Sequence, residues 1–493
     1  MKNVLVFLTL TLAMLLAACH KASPKESANG ITIGFATEIT SFDPFGNMTA
    51  DARSISFNIF DGLVNIDTDG SFIPAIAASY DMSPDAKTYT FALRKGVRFH
   101  DGREVNAEDV CYSLQKAITT PLPGFDKVES FTIDEDGNVV LRLSVADTGF
   151  IARLTSPIVP KNEKDLARHP VGTGPYRLTE YAEHSHITLS RNPSYWGNAG
   201  KLETVTIKFL SSEAEMLSKF NAGSIDGFSA NAYTVEQIKQ DKVNKYWHNS
   251  NSVQILALNN DFEPFRNADV RRAVNYLVDA DEIIQTANHG YGVKVGSALI
   301  PALSKYYDNS LVGSYARNVA KAKELLQKSG YANGFALSIT VPSVYTIHVQ
   351  TAKIIATQLS AGNIKVTVKQ VDWPTWLEAV YKDRQYEATV ISLDGAMAYP
   401  TSYLSRYVSD ARNNFINYVS PAYDAVYRHA ISTTDENERI AAFKHAQRIL
   451  NEECASVFIQ DISMLTVYNK HYAGHKEYPL YASDFTAIYR TEE

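Results

Sequence analysis

The chain of 493 residues has little cysteine, no apolar run long enough to span a bilayer and no cluster of positive charge. Its 3 cysteines form neither a Cys-x-x-Cys pair nor the spacing of a zinc site. Because Lys and Arg are scattered and the formal net charge is -7, the pattern argues against a nucleic-acid binder. The motifs GxSxG, HExxH and GxGxxG are absent, so no enzyme class is indicated, and we expect no cofactor.

The amino terminus carries the clearest local signal. The apolar run from Val4 to Ala18 follows Lys2 and is shorter than the about 20 residues that span a bilayer. It is typical of a signal-peptide core and ends in small residues before Cys19, the pattern that lipoprotein signal peptidase reads. We predict a signal peptide over residues 1–18, a lipidated Cys19 and a polar tether over residues 19–30. An ordinary signal peptide with an incidental cysteine is the alternative.

The composition predicts a globular protein rich in tyrosine. Hydrophobic residues make up 45% of the chain and charged residues 20%, which leaves ample apolar material for a core. At roughly 100–200 residues per domain, the length allows two to four domains. The 28 tyrosines exceed what a core needs, because each buried phenol requires a hydrogen-bond partner. We therefore expect many of these rings to line a surface or a cleft.

Strand-like and helix-like patterns alternate along the chain and predict a mixed α/β fold with several sheets. We predict strands over residues 31–35, 139–143, 187–189, 205–209, 335–341, 364–371 and 387–393. We predict helices over residues 106–117, 213–222, 269–278, 318–328, 345–360 and 437–452, with Asn106 and Asn318 as N-caps. Cys111 and Cys454 lie in apolar stretches and are predicted to be free thiols, with one disulfide as the alternative.

Nine short phrases then follow one another in a fixed order. They are EITSFDP at 38–44, FDGLV at 60–64, PAIAAS at 74–79, TFALRKGVRFHDG at 90–102, NAEDV at 106–110, GTGPY at 172–176, RNPSYWG at 191–197, VRRAV at 270–274 and GYG at 290–292. This ordered set resembles the family-5 solute-binding proteins of ABC importers, which include peptide and nickel receptors. The resemblance extends from about residue 31 to about residue 470. We expect most of the phrases to build the scaffold.

The resemblance implies a large periplasmic-binding-protein-like fold of two lobes with a ligand cleft between them. It assigns residues 31–56, 170–258 and 466–493 to lobe I, residues 57–169 to an extra subdomain of lobe I, and residues 259–465 to lobe II. Hinge closure over a small peptide or another small molecule would shift an open–closed equilibrium. The closed form would then dock on permease subunits. We expect a monomer held at a bacterial membrane by its lipid, on the extracytoplasmic side.

The resemblance also implies a set of ligand-binding residues. Glu38 lies in the loop after the first strand, and Asp394, Tyr399 and Tyr403 follow the strand that ends at residue 393. Trp373 and Trp376 follow a strand edge, and Tyr345 lies in the segment after Pro342. Dipeptide receptors carry an Asp four residues before the proline at 400 and an Arg in the segment after the proline at 342. Here those places hold Ala396 and no arginine, but a longer peptide can bind through its backbone.

Two other functions remain open. A nickel-chelate receptor is the alternative within the family, and His348, near the expected cleft, is the candidate metal ligand. The His184–His186 pair and the His471–His475 pair also have spacings that a metal site can use, although exposed or irregular backbone explains both. A secreted hydrolase on the same scaffold is the alternative from another class. The preferred prediction is a lipid-anchored receptor that captures extracytoplasmic di- or oligopeptides for an ABC importer.

Overall fold

The computed structural model describes residues 29–46, 48–120, 122, 124–230, 234, 237–238, 243–395, 397–480 and 482–491. The predicted signal peptide, Cys19 and most of the predicted tether lie outside the described residues. Within these ranges no helix has both the length and the apolar character needed to cross a membrane. Cys111 and Cys454 are both free thiols, as predicted.

The described chain alternates strands and helices, which confirms the mixed α/β class. The strands are β1 (Gly30–Phe35), β2 (Val64–Ile66), β3 (Phe72–Pro74), β4 (Ala77–Met82), β5 (Thr88–Leu93), β6 (Val128–Ile133), β7 (Val139–Leu143), β8 (Tyr176–Ala182), β9 (His186–Arg191), β10 (Thr204–Phe209), β11 (Gly227–Ala230), β12 (Val243–Leu258), β13 (Gly292–Lys294), β14 (Ala336–Pro342), β15 (Lys365–Val371), β16 (Ala388–Asp394), β17 (Ser456–Asn469), β18 (Tyr472–Ala473) and β19 (Tyr489–Arg490).

The helices lie mostly in the second half of the chain. They are α1 (Ala50–Ser56), α2 (Ala107–Thr119), α3 (Glu213–Asn221), α4 (Ala268–Leu277), α5 (Ala280–Ala287), α6 (Val319–Lys328), α7 (Thr346–Leu359), α8 (Trp373–Thr375), α9 (Thr401–Leu404), α10 (Pro421–Ser432) and α11 (Glu436–Glu452). α8 continues as a π-helix over Trp376–Lys382, and short 3-10 helices occur at Phe125–Lys127, Phe150–Thr155, Glu263–Arg266, Asn309–Leu311, Ser360–Gly362, Ser405–Tyr407 and Phe485–Ala487.

Two long antiparallel strands, β12 and β17, connect the lobes. The main sheet has the order β15-β14-β16-β12-β17-β11-β1-β10-β9-β8, and β13 also pairs with β17. Strands β16, β14 and β15 extend from the carboxyl half of β12 and form lobe II. Strands β11, β1, β10, β9 and β8 extend from the carboxyl half of β17 and form lobe I. A separate antiparallel sheet, β4-β5-β7-β6, belongs to the extra subdomain.

The hydrophobic cores follow the same parts of the molecule, with one overlap. One continuous core joins lobe I to the extra subdomain and includes Ile33 and Ile207 from the first and Phe91 and Leu141 from the second. Two further cores cover the opposite faces of the lobe II sheet, and one of them also takes in Ile66 and Ala152 of the extra subdomain. Because they share a core, lobe I and the extra subdomain form one packed unit. The exact segment boundaries given above remain a prediction.

Three of the sequence phrases converge on one buried carboxylate, Asp61. It accepts hydrogen bonds from Asn65 Nδ2 at 2.8 Å, Thr173 Oγ1 at 3.0 Å, Tyr195 OH at 3.2 Å and Trp196 Nε1 at 3.0 Å. Burial raises the pKa of Asp61, and these four donors oppose the rise. The cluster therefore fastens lobe I to the extra subdomain, in agreement with the scaffold role expected for these phrases.

The glycines of the same phrases allow a close crossing of backbones. A Cβ at Gly172 would lie 2.1 Å from Ile59 O, and one at Gly174 would lie 2.5 Å from Asn58 O. The backbone N–H of Gly174 donates to Ile59 O at 2.9 Å. Only glycine fits at this separation, because any side chain would force the two segments apart.

Candidate functional site

The topology brings the carboxyl ends of parallel strands together in both lobes. β14, β15 and β16 are parallel to one another, and β16 is antiparallel to β12, which runs from lobe I into lobe II. The carboxyl ends of β14–β16 therefore point toward lobe I and form what we call the lobe II edge. β1, β10 and β11 are parallel, and β11 is antiparallel to the returning β17, so their carboxyl ends point toward lobe II. Crevices at such edges are where open α/β sheets bind ligands.

The lobe II edge carries three of the predicted site residues. Tyr345 follows β14, Trp373 follows β15 and Asp394 ends β16. The rings of Tyr345 and Trp373 meet edge to face, with centroids 5.6 Å apart, and the Tyr345 side chain is 41% exposed. The Asp394 side chain is exposed, while its backbone oxygen accepts a hydrogen bond from Arg406 Nη2 at 2.9 Å. Two aromatic rings and a carboxylate are thus available to a ligand at this edge.

Trp376 lies beneath this surface. It is 3% exposed, stacks on Trp373 with a centroid distance of 5.2 Å, and donates from Nε1 to Thr389 Oγ1 at 3.0 Å. Its indole N–H and its ring therefore both make their contacts inside lobe II. Its position is that of a support for the Trp373 ring.

Tyr399 and Tyr403 are buried in the structure. Tyr403 donates from its hydroxyl to Asn251 O at 2.8 Å, so it ties the loop after β16 to β12. Tyr399 packs against Phe72 of the extra subdomain and Tyr306 of lobe II, with centroid distances of 6.2 and 5.6 Å. Burial raises the pKa of both phenols, which therefore stay neutral.

The expectation that many tyrosines line a surface or cleft is wrong for a large group of them. Tyr89, Tyr176, Tyr407, Tyr418 and Tyr423 are all among the largest fully buried side chains. Two of these phenols find partners on the backbone: Tyr89 donates to Asp147 O at 2.7 Å and Tyr423 to Leu404 O at 2.6 Å. Loop carbonyls inside the core supply acceptors that the sequence pattern does not reveal.

Glu38, on the lobe I side, is engaged within its own lobe. Its carboxylate accepts from the backbone N–H of His184 at 2.8 Å and contacts His184 Nδ1 at 2.7 Å. These hydrogen bonds, the backbone one foremost, lower the pKa of Glu38, and the carboxylate in turn raises the pKa of His184. The pair fixes the turn between β8 and β9, where His184 has a φ of 59°.

The two connecting strands lose their regular pairing between the lobes. Asn249 pairs with Ser463 and Val253 pairs with Asp461, so three residues of β12 stand opposite one residue of β17. Asn251, in the middle of this bulge, has a φ of 57°. Such bulges bend a strand locally, and we call the two segments, 249–253 and 461–463, the crossing point. The crossing point has no counterpart among the features predicted from the sequence.

A buried carboxylate, Asp461, lies at the crossing point. Its Oδ1 accepts from Ser250 Oγ at 3.0 Å and from Ser252 N at 3.3 Å, while Oδ2 has no hydrogen-bond partner among the described residues. Burial raises the pKa of Asp461 to about 7. A neutral acid is therefore favoured at this position.

His348, the candidate metal ligand, is buried on the other face of the sheet. Its Nδ1 is 2.9 Å from Gln254 Nε2, and Gln254 accepts from Gln460 Nε2 at 2.8 Å. Burial lowers the pKa of His348 to about 4. In the described ranges no three His, Cys, Asp or Glu side chains come together as potential metal ligands.

Comparison with known proteins agrees with this architecture. Residues 71–415 match the bacterial extracellular solute-binding proteins, family 5 Middle. Heme-binding protein A of Haemophilus influenzae is 27% identical over 508 residues, which cover 90% of this chain and 92% of that protein. Di/tripeptide-binding protein 1 of Pseudomonas aeruginosa is 26% identical over 514 residues, which cover 95% of each chain.

A solved structure extends the match to three dimensions. The periplasmic binding protein DppA of Helicobacter pylori, in complex with the peptide STSA, superimposes with a TM-score of 0.74 at 25% identity. The superposition covers 94% of this chain and 98% of DppA. The two-lobed fold predicted from the sequence is confirmed. With a family match over most of its length and the same fold, this chain belongs to the family-5 solute-binding proteins of bacterial ABC importers.

Proposed function

We propose that this protein captures extracytoplasmic peptides and delivers them, as a monomer, to the permease of an ABC importer. The observation that carries the proposal is the lobe II edge, where the rings of Tyr345 and Trp373 and the carboxylate of Asp394 are all available. Aromatic rings make flat contacts that tolerate different side chains, and a carboxylate pairs with a peptide amino terminus. Relatives named for di- and tripeptides and the DppA–peptide complex support this cargo class.

Capture works through closure of the two lobes. A peptide at the lobe II edge gains contacts from lobe I only when the lobes approach, so binding shifts the equilibrium toward the closed form. In this proposal the movement is concentrated at the crossing point, where β12 and β17 have irregular register. Residues 57–169 move with lobe I, because most of their buried apolar side chains belong to the core of lobe I and only Ile66 and Ala152 belong to the core of lobe II among the described residues.

The site residues have distinct roles in this proposal. Tyr345, Trp373 and Asp394 touch the cargo directly, and Trp376 holds Trp373 in place. Tyr399 and Tyr403 fix the loop after β16 from inside the protein. Glu38 shapes the lobe I side by holding His184. The protein binds without catalysis.

Native mass spectrometry of the soluble chain from residue 20 onward, purified without refolding, tests the cargo class. The expected result is a spread of added masses of peptide size, because peptide receptors that recognise backbone bind many sequences. A single added mass with a nickel isotope pattern, or the mass of heme, would replace peptides as the cargo.

Substitution of Asp394 tests the proposed anchor for the amino terminus. Asp394→Ala should weaken binding of a free peptide about tenfold and leave binding of its N-acetylated form unchanged, since the lost partner is the charged amine. Asp383→Ala, which removes another exposed carboxylate of lobe II, is the matched control and should have no effect. Equal affinity of wild type and Asp394→Ala for every peptide tested would rule out the anchor role.

The lipid anchor at Cys19 is part of the same proposal. In the full chain, Cys19→Ser should move the protein from the membrane fraction to the soluble fraction, because the acylated thiol is lost. Retention of the variant at the membrane would mean that another contact holds the protein there.

A further inference from the structure

A cavity of about 500 Å3 lies between the extra subdomain and lobe II. Its size falls within the range of about 300–1,000 Å3 that is typical of small-molecule sites. Of the predicted site residues, only Tyr399 lines it, so the cavity is not the lobe II edge described above.

Aromatic side chains from both parts of the molecule form its walls. Phe72, Tyr80 and Tyr89 come from the extra subdomain, and Tyr306 and Tyr399 come from lobe II. The rings of Tyr306 and Tyr399 meet edge to face, with an interplanar angle of 68°. A planar or aliphatic body fits between such walls, because ring faces and edges offer large apolar contact areas.

Two cations, Lys305 and Arg439, and two carboxylates, Asp69 and Glu436, line this space. Lys305 is exposed and paired with Glu436, which leaves Arg439 as the more buried cation. Its side chain is 13% exposed, and the charge of its guanidinium opposes the rise in pKa that burial causes at Tyr80, Tyr89 and Tyr399. Arg439 also interacts with the phenol of Tyr306. The guanidinium therefore stands among tyrosines of both walls.

The charge of Arg439 is only weakly compensated. Nη1 donates to the backbone oxygens of Thr433 and Thr434, each at 3.3 Å, and Nε has no hydrogen-bond partner among the described residues. The nearest carboxylate oxygen, on Glu436, is 4.0 Å from Nη2, and the same oxygen is already paired with Lys305. A mostly buried guanidinium with an unused donor is suited to an incoming anion.

We propose that this cavity binds a compound with one carboxylate and an aromatic or aliphatic body. The carboxylate pairs with Arg439, and the body packs between the tyrosine walls. A single negative charge matches the weakly compensated charge of Arg439, whereas a phosphate would bring excess charge beside Asp69 and Glu436, which also line the cavity. The class includes N-acylated amino acids and the carboxyl-terminal residue of a peptide. The inference is independent of the proposed function.

Such a ligand would also strengthen the contact between the extra subdomain and lobe II. The two already touch beside the cavity, where Thr148 N donates to Ile431 O at 3.0 Å. Because the walls come from both parts, a bound molecule bridges them.

Calorimetric titration with N-acetyl-L-phenylalanine and with its amide, which lacks the carboxylate, tests the proposal. The wild type should bind the acid about tenfold more tightly than the amide. Arg439→Gln should reduce the affinity for the acid to that for the amide and leave the amide unchanged. Lys323→Gln, an exposed lysine of α6 outside the cavity, is the control and should behave as wild type.

Three results would overturn the inference. The first is equal affinity of the wild type for the acid and the amide, and the second is no binding of the acid. The third is that Arg439→Gln no longer binds either the acid or the amide. The last result would indicate a structural role. If Arg439→Gln does not fold, Arg439→Lys is used in its place. This variant should lower the ratio of the affinity for the acid to the affinity for the amide severalfold, since lysine keeps the charge but lacks the planar set of guanidinium donors. A tripeptide ending in phenylalanine should compete with the acid if peptide termini are the source, and should not if free acids are.

The test is separable from the proposed function. If peptides co-purify with both the wild type and Arg439→Gln, and the wild type binds the acid and the amide equally, the proposed ligand of this cavity is refuted. The proposed function as a peptide receptor is then still supported.

Discussion

Two buried aspartates mark the two joints of the molecule, and they are satisfied very differently. Asp61, between lobe I and the extra subdomain, accepts four side-chain hydrogen bonds. Asp461, between the two lobes, accepts hydrogen bonds at Oδ1, whereas Oδ2 has no partner in the part of the chain that the structure describes. Because buried polar groups that are fully satisfied rigidify their surroundings, the first joint is a fixed one. The second combines an incompletely satisfied acid with a bulge, which suits a joint that bends.

The largest expected effect comes from breaking the fixed joint. Asp61→Ala should lower the free energy of unfolding by about 4 kcal/mol, because it leaves four buried or half-buried donors without their acceptor. Chemical denaturation followed by circular dichroism measures the change. Asp126→Ala, at an exposed position of the extra subdomain, should change stability by less than about 0.5 kcal/mol. A similar small change for both variants would show that the Asp61 cluster does not hold the joint.

The close backbone crossing beside Asp61 gives a second way to break that joint. Gly174→Ala should cost about 3 kcal/mol of unfolding free energy, because its Cβ would overlap Asn58 O. Gly46→Ala serves as the control, since no atom lies closer than 3.5 Å to a Cβ there. If Gly174→Ala were as stable as the control, the segments would not be held as closely as described.

The pH dependence of the free energy of unfolding tests the difference between Asp461 and Asp61. Its pKa is raised from 3.8 to about 7, mainly by burial, with Glu477 adding to the rise. Since the fold favours the neutral acid, the stability that Asp461 contributes is present below about pH 4 and is lost as the pH rises to about 7. Asp461→Asn should therefore be more stable than wild type by about 2 kcal/mol at pH 8, with a difference that shrinks toward pH 4.

Unfolding curves of the two proteins at pH 4, 6 and 8 measure this trend. Tyr307 and Tyr403 also lie near Asp461. Because burial raises the pKa of both phenols, they stay neutral over this pH range and do not contribute to the trend. An Asp461→Asn variant that is less stable than wild type at pH 8 would mean that the fold uses the ionised carboxylate.

The smallest expected effect on stability is at the lobe II edge. Trp373→Ala should weaken peptide binding about tenfold while changing the unfolding free energy by less than about 1 kcal/mol, because the ring is only half-buried. Ile133→Ala, which removes an exposed apolar side chain of the extra subdomain, is the control for nonspecific loss. Unchanged affinity of Trp373→Ala would remove that ring from the cargo site.

Local signals in the sequence predicted the elements that they control. Asn106 and Asn318 cap α2 and α6 as expected, since an N-cap and its partners lie within a few residues. The strand at 139–143 has the predicted bounds. The carboxyl ends of β14, β15 and β16 carry Tyr345, Trp373 and Asp394, which the family resemblance had singled out.

Non-local pairings set the features that were missed. β12 begins with polar residues and has no simple alternation, because it is defined by pairing with β17 more than two hundred residues away. The burial of Tyr399 and Tyr403 and the engagement of Glu38 by His184 likewise depend on which distant segments meet. No short pattern in the sequence encodes these contacts.

The central claim is that lobe I and the extra subdomain form one unit and that this unit closes on lobe II. Distances between pairs of spin labels on these parts test the claim most directly. In the soluble chain from residue 20 onward with Cys111→Ser and Cys454→Ser, one pair joins lobe I to the extra subdomain through Arg177→Cys and Lys95→Cys, at exposed positions. The other pair joins lobe I to lobe II through Arg177→Cys and Lys353→Cys. Addition of a casein hydrolysate, as a mixed peptide pool, should shift the second distance and leave the first unchanged. A shift in the first distance, or no shift in either, would contradict a receptor that closes at the crossing point.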